Sequence, residues 1–264
     1  MSEIHKYPRT RHVEGSGLQP GDDLECAPFA DLAGRRLVVE EKMDGANSAI
    51  SFTQDGRLLL QSRGHYLTGG PRERQFDLLK QWANRYAGPL WETLGARYVL
   101  YGEWLYARHT IFYTDLPHYF LEFDALDTSD GVFLSTKARR ELLREAPFVR
   151  SVRVLHEGTV VSAEALVALI GPSAFVSGSP AEWLRVAARA RGLDPEQALR
   201  ESDLSGLMEG LYIKAEEDGA VVERYKYVRA GFLQTVFDSE SHWMDRPLIP
   251  NQLAPGVSLW DGGA

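Results

Sequence analysis

Apolar residues in the first half of this chain fall into short runs separated by turn residues, and only later into helical spacing. Leu37-Val38-Val39 and Ala49-Ile50-Ser51-Phe52 read as strands on either side of a polar stretch, Glu40 to Asn47. Asp55-Gly56 then marks a tight hairpin into Leu58 to Arg63, so this start has the form of a meander. Phe76, Leu79, Trp82, Ala83 and Tyr86 recur at helical spacing, which predicts an amphipathic helix over Arg72 to Tyr86 that ends near Gly88-Pro89. Arg97 to Leu105 and His118 to Leu126 are aromatic and β-branched, hence strands, joined by a polar loop around Arg108-His109-Thr110.

From Ser135 the texture becomes helical. Ser135-Thr136, Ser162, Ser179-Pro180 and Asp194-Pro195 are start signals, because a side-chain oxygen can accept from a free first-turn N–H and proline is tolerated there. The stretch 127–205 therefore reads as a largely helical insertion with one strand near Val152 to Leu155. Strands return at Gly210 to Ala215 and Val221 to Val228 around the hairpin residues Asp218-Gly219. Residues 1–35 read as an irregular basic arm, more simply solvated than not, and 230–264 as a short helix with a tail laid over the domain or partly disordered. No internal repeat is present. These elements predict one α+β domain of 264 residues, with the sheets contributed by 36–126 and 206–229.

Composition narrows the picture modestly. A single cysteine, Cys26, excludes an internal disulfide and fits a reducing, cytoplasmic compartment. There is no apolar run of membrane-spanning length and no signal-peptide core at Met1 to Lys6, so no membrane partner is expected. A net charge of −8 argues against broad affinity for polyanions, which must instead meet a local basic surface.

The candidate chemistry is unusual for strands. Only six of the 29 basic residues are lysines, and one, Lys42, stands at the junction of the first two strands. A lysine can lose its proton and attack phosphorus or carbon, which an arginine cannot; the plain alternative is a solvated strand-end residue. Phosphate loops ending in Lys-Ser or Lys-Thr, two-histidine zinc helices and paired-cysteine metal spacings are missing, and Gly15-Ser16-Gly17 and Gly69-Gly70 read as turns. Instead Lys42, Asp44, Asn47, Arg63, Glu103, Glu209, Lys214, Arg224 and Lys226 all fall within or at the ends of strands. A sheet lined this way offers cations for phosphates, carboxylates for a metal or ribose, and an amine, while Phe123 or a neighbour offers a stacking face for a base.

The segments Lys42-Met43-Asp44-Gly45, Ser62-Arg63-Gly64, Tyr101-Gly102-Glu103, Phe123-Asp124, Glu209-Gly210-Leu211-Tyr212-Ile213-Lys214 and Arg224-Tyr225-Lys226 occur in an informative order. In that order they resemble the covalent nucleotidyltransferases, the superfamily of polynucleotide ligases and mRNA capping enzymes. Glu41, Asn47 and the Phe-Asp pair resemble the nick-sealing type of ATP-dependent RNA ligase more than DNA ligases. The resemblance covers about Arg36 to Arg229. It implies a nucleotidyltransferase (ATP-grasp-like) fold with antiparallel sheets forming an ATP cleft. It also implies that Lys42 takes AMP from ATP as a phosphoramidate, with Mg2+ or Mn2+ placed by Glu209. Glu41 would read the adenine amino group, Phe123 stack on the base, and Arg63 and Glu103 hold the ribose. Asn47, Lys214, Arg224 and Lys226 would surround the α-phosphate, and Asp44 would orient the loop or contact the leaving pyrophosphate.

A lysine near its ordinary pKa of ~10.4 is protonated at neutral pH. Lys214, Arg224, Lys226 and a metal are the cations expected to free it. The chain departs from the family in placing Arg224 where a lysine is common, and 230–264 is too short for a separate C-terminal domain. The implied substrate is RNA with 5′-phosphate and 3′-hydroxyl ends in a nicked duplex, for RNA repair, with a separate kinase or phosphatase preparing the ends. Arg9 to His12 and Arg72 to Arg74 are the further basic contacts expected. The alternatives are a capping-type guanylyltransferase using GTP, a DNA ligase, and a non-catalytic RNA-end binder.

Overall fold

The structure, a computed structural model, describes residues 4–19, 22, 25–238 and 247–261, except the side chains of 71 and 72. Along the chain, β1 (Arg11–His12), β2 (Leu37–Lys42), β3 (Ala46–Phe52) and β4 (Leu58–Ser62) precede α1 (Asp77–Arg85) and α2 (Ala87–Leu94). Next come β5 (Tyr98–Trp104), β6 (Phe120–Asp127), β7 (Val132–Phe133), α3 (Thr136–Leu142), β8 (Arg150–Ser151) and β9 (Val154–Gly158). Helices α4 (Ala163–Val167), α5 (Pro180–Arg189) and α6 (Pro195–Arg200) lead into β10 (Gly210–Glu217), β11 (Ala220–Val228) and α7 (Ala230–Asp238). The α+β architecture expected from the sequence is the one observed.

Two sheets carry the fold. One runs β1-β11-β10-β2-β9 and the other β4-β3-β5-β6-β7, with β8 beside β6. All pairings are antiparallel except β1 on β11 and β8 on β6. The meander expected at the start is corrected here: β2 pairs with β10 and β9, β3 with β4 and β5, so the chain changes sheets between Lys42 and Ala46. The change is abrupt because Gly45 runs against β5, where an added Cβ would lie 2.8 Å from the Trp104 carbonyl oxygen and 2.7 Å from a Leu105 methyl.

Period-two alternation then sorts side chains between faces. On the first sheet Leu37, Val39, Leu211, Ile213, Ala215 and Tyr225 turn outward into one apolar cluster with Leu32 and Leu166. Their neighbours in sequence, Glu40 and Lys42, Tyr212 and Lys214, Arg224 and Lys226, take the face toward the second sheet. The second sheet packs its far side on α1 and α2 through Leu79, Trp82, Leu90, Trp104 and Phe120.

Three other expectations change. The helix expected over Arg72 to Tyr86 does end at Arg85 but is α only from Asp77, after 3-10 turns over Pro71–Phe76, and Gly88-Pro89 then lies in the first turn of α2, where proline's missing N–H has no intrahelical partner to lose. The arm 1–35 is not simply solvated: Tyr7, His12, Val13, Ala27 and Leu32 are buried, and Arg11 and His12 add an edge strand to β11. The stretch 127–205 holds three strands, and β9 completes the first sheet beside β2. Ser135, Ser162 and Asp194 do cap α3, α4 and α6 through side-chain oxygens. Asp218 and Gly219 both take positive φ (50° and 83°), as the tight β10–β11 hairpin needs. The tail from 247 is laid over the domain, with Ile249 and Leu259 buried, and residues 239–246 lie outside the described residues.

Gly210 gives a test of how tightly β10 and β11 must close. A Cβ there would sit 1.9 Å from the Tyr227 carbonyl oxygen, a backbone atom that cannot rotate away. Gly210→Ala is expected to lose about 3 kcal/mol or more in denaturant unfolding, whereas Gly171→Ala, which meets nothing within 4 Å, should change stability by less than about 1 kcal/mol.

Candidate active site

Between the inner faces of the sheets lies a cavity of about 1480 Å³. Pockets for drug-sized ligands run to about 1,000 Å³, so this one has room for more than a single small ligand. Its wall includes nine of the site residues expected from the sequence: Glu41, Lys42, Asp44, Asn47, Arg63, Glu103, Phe123, Glu209 and Lys226. Segments more than 160 residues apart meet here because β2 pairs with β10 in a register that sets Lys42 opposite Gly210.

Lys42 Nζ donates to Glu209 Oε1 at 2.6 Å, and the lysine side chain is only partly buried. Burial alone would lower the Lys42 pKa, but attraction from Glu209, Glu103 and Asp44 outweighs it and raises the value. The carboxylates around the amine thus favour its charged form, and of the cations expected to act on it Lys226 shares the cavity wall. The carboxylates are strained in turn. Burial and the nearby Asp44 push Glu209 up to about 7 despite Lys42 and Lys226, and burial with Glu209 and Asp44 pushes Glu103 up to about 8. The second Glu209 oxygen is buried without a hydrogen-bond partner among the described residues.

Asp44 works as a clamp. Its Oδ2 accepts from the backbone N–H groups of Thr110 and Ile111, both at 2.7 Å, while its own N–H donates to the Tyr113 hydroxyl at 2.8 Å. Of the two roles open to it, orienting the loop is the one these bonds display. His109 and Thr110 thereby join the cavity wall. The loop is braced from behind by Asn251, which accepts from Tyr113 N–H at 3.0 Å and donates to the Leu105 carbonyl at 2.8 Å.

Lys214 and Arg224 are the two expected residues that do not reach the cavity wall. Lys214 is fully buried; its Nζ lies 2.9 Å from Glu40 Oε2 and 3.5 Å from Asp124 Oδ1 and donates to the Phe123 carbonyl. Arg224 Nε donates to Asp124 Oδ2 at 2.9 Å, and its guanidinium lies over the Phe133 ring at 3.8 Å. Arg139 extends the network, 2.7 Å from Glu40 and 3.3 Å from Glu122. The alternation that sends these side chains inward is the same as for Lys42 and Lys226; carboxylates on β2 and β6 simply reach them first. Lys226, one step nearer the open end, pairs with Asp22 at 3.1 Å and still lines the cavity.

Several wall residues had no distinctive sequence signal. Tyr7, in the supposed arm, donates to Asp124 at 2.5 Å and packs edge-on against Phe123 with ring centroids 5.2 Å apart. Ser173, from the helical stretch, does not line the wall but stands behind it, donating to Glu41 at 2.5 Å. Gly69 and Gly70 lie on the wall as well, with Gly69 N–H donating to Glu73 at 2.8 Å. Of the basic contacts proposed for a polyanion, Thr10 faces the cavity and Arg9, Arg11 and Arg74 are exposed, whereas His12 is buried and the Arg72 side chain lies outside the described residues.

The RNA ligase family profile matches residues 35–228, which span both sheets and every wall segment from Glu41 to Lys226. The chain belongs to the RNA ligase family. No curated protein matches it in sequence. Among solved structures it resembles a lysine-to-alanine variant of the Naegleria gruberi RNA ligase with ATP and Mn, at 17% identity and a TM-score of 0.56, over 89% of this chain and 59% of that one. A glutamate-to-alanine variant of the same ligase with AMP and Mn matches at 16% identity and a TM-score of 0.55, again over 89% and 59%. At these identities the likeness is one of fold, and this chain spans about three fifths of the length of those ligases.

For this RNA ligase family member, the fit of a divalent metal can be judged from the donor set. Glu209 offers an unpartnered carboxylate oxygen, and hard cations take oxygen donors. Among the described residues no three His, Cys, Asp or Glu side chains form a ready-made metal cage. A site of this kind suits an ion that keeps several waters and shares phosphate oxygens. Among the described residues no helix is long and apolar enough to cross a membrane.

Glu103 reports on the crowding of carboxylates. The folded protein holds its proton more tightly than the unfolded chain does, so this contribution to stability is complete below pH 4.5 and is lost as pH rises through about 8. Glu103→Gln, a permanent mimic of the protonated form, should therefore gain on the order of 1 kcal/mol over the native chain at pH 8.5 and nothing at pH 4. Urea unfolding at the two pH values checks it, and an equal difference at both would contradict the assignment.

Proposed function

We propose that the protein is an ATP-dependent RNA ligase that joins a 5′-phosphate to a 3′-hydroxyl through AMP carried on Lys42. The observation that carries this reading is the Lys42–Glu209 pair, 2.6 Å apart on the wall of a nucleotide-sized cavity in a chain of the RNA ligase family. ATP or AMP and Mn accompany the Naegleria gruberi ligase in the similar structures, which supports ATP and Mg2+ or Mn2+ as the cofactors here.

In the first step Lys42 Nζ, relieved of its proton, attacks the α-phosphorus, the bond to pyrophosphate breaks, and a P–N bond forms. Glu209, with a pKa of about 7, is the group within reach to take that proton. Glu209 would hold a divalent cation through its unpartnered oxygen, and the ion would supply positive charge against the phosphate oxygens. Of the residues on the cavity wall, Lys226 and Asn47 would meet the phosphate, Phe123 would stack on the adenine, Arg63 and Glu103 would hold the ribose, and Glu41 would read the base edge. In the second step an oxygen of the RNA 5′-phosphate attacks the same phosphorus and Lys42 leaves, regaining its proton. In the third, the 3′-hydroxyl attacks the 5′-phosphate and AMP departs.

The substrate proposed is a nicked RNA duplex in repair, its ends prepared by a separate kinase or phosphatase. With a net charge of −8, the contact depends on the local cations Lys226, Arg63 and Arg9, so binding should weaken steeply with salt.

Incubated with α-labelled ATP and Mg2+ or Mn2+, the purified protein should form an acid-stable adduct that Lys42→Ala abolishes and Glu209→Gln reduces at least ~100-fold. An adduct that survives Lys42→Ala would overturn the proposal, and labelling by GTP in preference to ATP would indicate capping-type chemistry instead. Adduct formation should also rise with pH through about 7, as Glu209 becomes able to accept the lysine proton, and raising Mg2+ should move that rise to lower pH. A pH-independent rate would remove Glu209 from the role of base.

A further inference from the structure

Glu41 is the penultimate residue of β2, 1% exposed, and lies on the cavity wall. Its carboxylate is gripped from one side by a segment that the sequence pattern assigned to the helical insertion. Ser173 Oγ donates to Oε1 at 2.5 Å, and Ala174 N–H donates to Oε2 at 3.3 Å. Ser173 is fixed in turn: its N–H donates to the Gly206 carbonyl at 2.9 Å, and its hydroxyl oxygen accepts from Phe175 N–H at 3.2 Å. Phe175 is buried in the core cluster that includes Met43 and Phe123.

A hydroxyl has one proton and two lone pairs. With one lone pair taken by Phe175 N–H, the single Ser173 proton is directed at Glu41. An ionised carboxylate has about four acceptor sites, and two are filled from the Ser173 side, so those that remain present acceptors without a donor. We infer that Ser173 is a positioning residue that holds Glu41 as an acceptor-only edge and thereby selects adenine over guanine. This rests on the nucleotidyl-transfer reading above. The adenine 6-amino group donates to such an edge; guanine has a carbonyl there, and two acceptors facing each other in a buried site are left unpaired.

The charge state of Glu41 matters to this selection, because a protonated Glu41 could donate to the guanine carbonyl. Burial raises the Glu41 pKa; the Ser173 hydrogen bond, the Ala174 N–H and the Arg153 charge oppose the rise. Tyr113, a buried phenol whose own pKa is pushed up by burial and by Asp44, is the other titratable group that senses Glu41. Without the Ser173 hydroxyl, Glu41 keeps its proton to higher pH.

The test compares Lys42 labelling by ATP and GTP in the intact native chain and in Ser173→Ala, Ser173→Cys and Ser173→Thr. Ser173→Ala should raise the KM for ATP about tenfold with a smaller change in kcat, and cut the ATP:GTP preference about tenfold. It should also move to higher pH the acid limb seen in the KM for ATP, which is separate from the rise in labelling rate set by Glu209. Ser173→Thr, which keeps the donor, should restore all three, and Ser173→Cys, with similar volume and a weak donor, should fall between. An unchanged ATP:GTP preference and acid limb in Ser173→Ala, or in Ser173→Cys should the alanine variant not fold, would overturn the inference. A native chain that takes no label from either nucleotide would instead overturn the function on which the inference rests.

Discussion

Charge buried between the two sheets is the constraint on which the rest of this structure depends. Glu40 on β2, Lys214 on β10 and Arg224 on β11 come from one sheet, Glu122 and Asp124 on β6 from the other, and Arg139 on α3 closes the set. Removing such groups from water is costly unless each finds partners of opposite sign, and their placement is correspondingly exacting. An apolar interface would tolerate sliding; this one fixes the spacing of the sheets and hence the width of the cavity. Lys214 also donates to the Phe123 carbonyl, so the network holds the aromatic wall as well as the sheets.

The open end of the same interface is frustrated where the closed end is satisfied. Lys42 stands among Glu209, Glu103 and Asp44, and both glutamates are driven toward neutrality despite Lys226 and Arg63 nearby. A structural core would replace one of the carboxylates. Carboxyl groups with pKa values pushed up in this way, beside a lysine on a cavity wall, mark a candidate functional site. The two ends differ by a step of two residues along β11, from Arg224 to Lys226.

Strand positions and the order of motif residues were legible in the sequence because hydrophobic period and turn chemistry are local. Family membership followed from the order of Lys42-Met43-Asp44-Gly45, Glu103, Phe123, Glu209 and Lys226. Partner choice was not legible. Whether Lys214 faces phosphate or Glu40 depends on register between strands far apart in the chain, and the sheet change after Lys42 is set by how closely Gly45 can approach β5. Tyr7 and Ser173 were invisible for another reason: each acts through its hydroxyl on a distant element, Tyr7 on Asp124 and Tyr212 and Ser173 on Glu41, and neither stands in a patterned segment. Which carboxylates fold in beside Lys42 was not legible either, because Glu103 and Glu209 come from segments far from it in sequence.

Asn251 has a consequence for how the molecule comes into being. It braces the loop that Asp44 clamps, joining residues 44, 105, 113 and 251 in one unit. During synthesis the strand carrying Lys42 emerges long before its partners β9 and β10, so this part of the wall must wait unpaired until they and the tail arrive. Contacts so distant in sequence close late and slowly. The cavity is therefore a product of the end of folding, and the nascent chain carries Lys42 without a site.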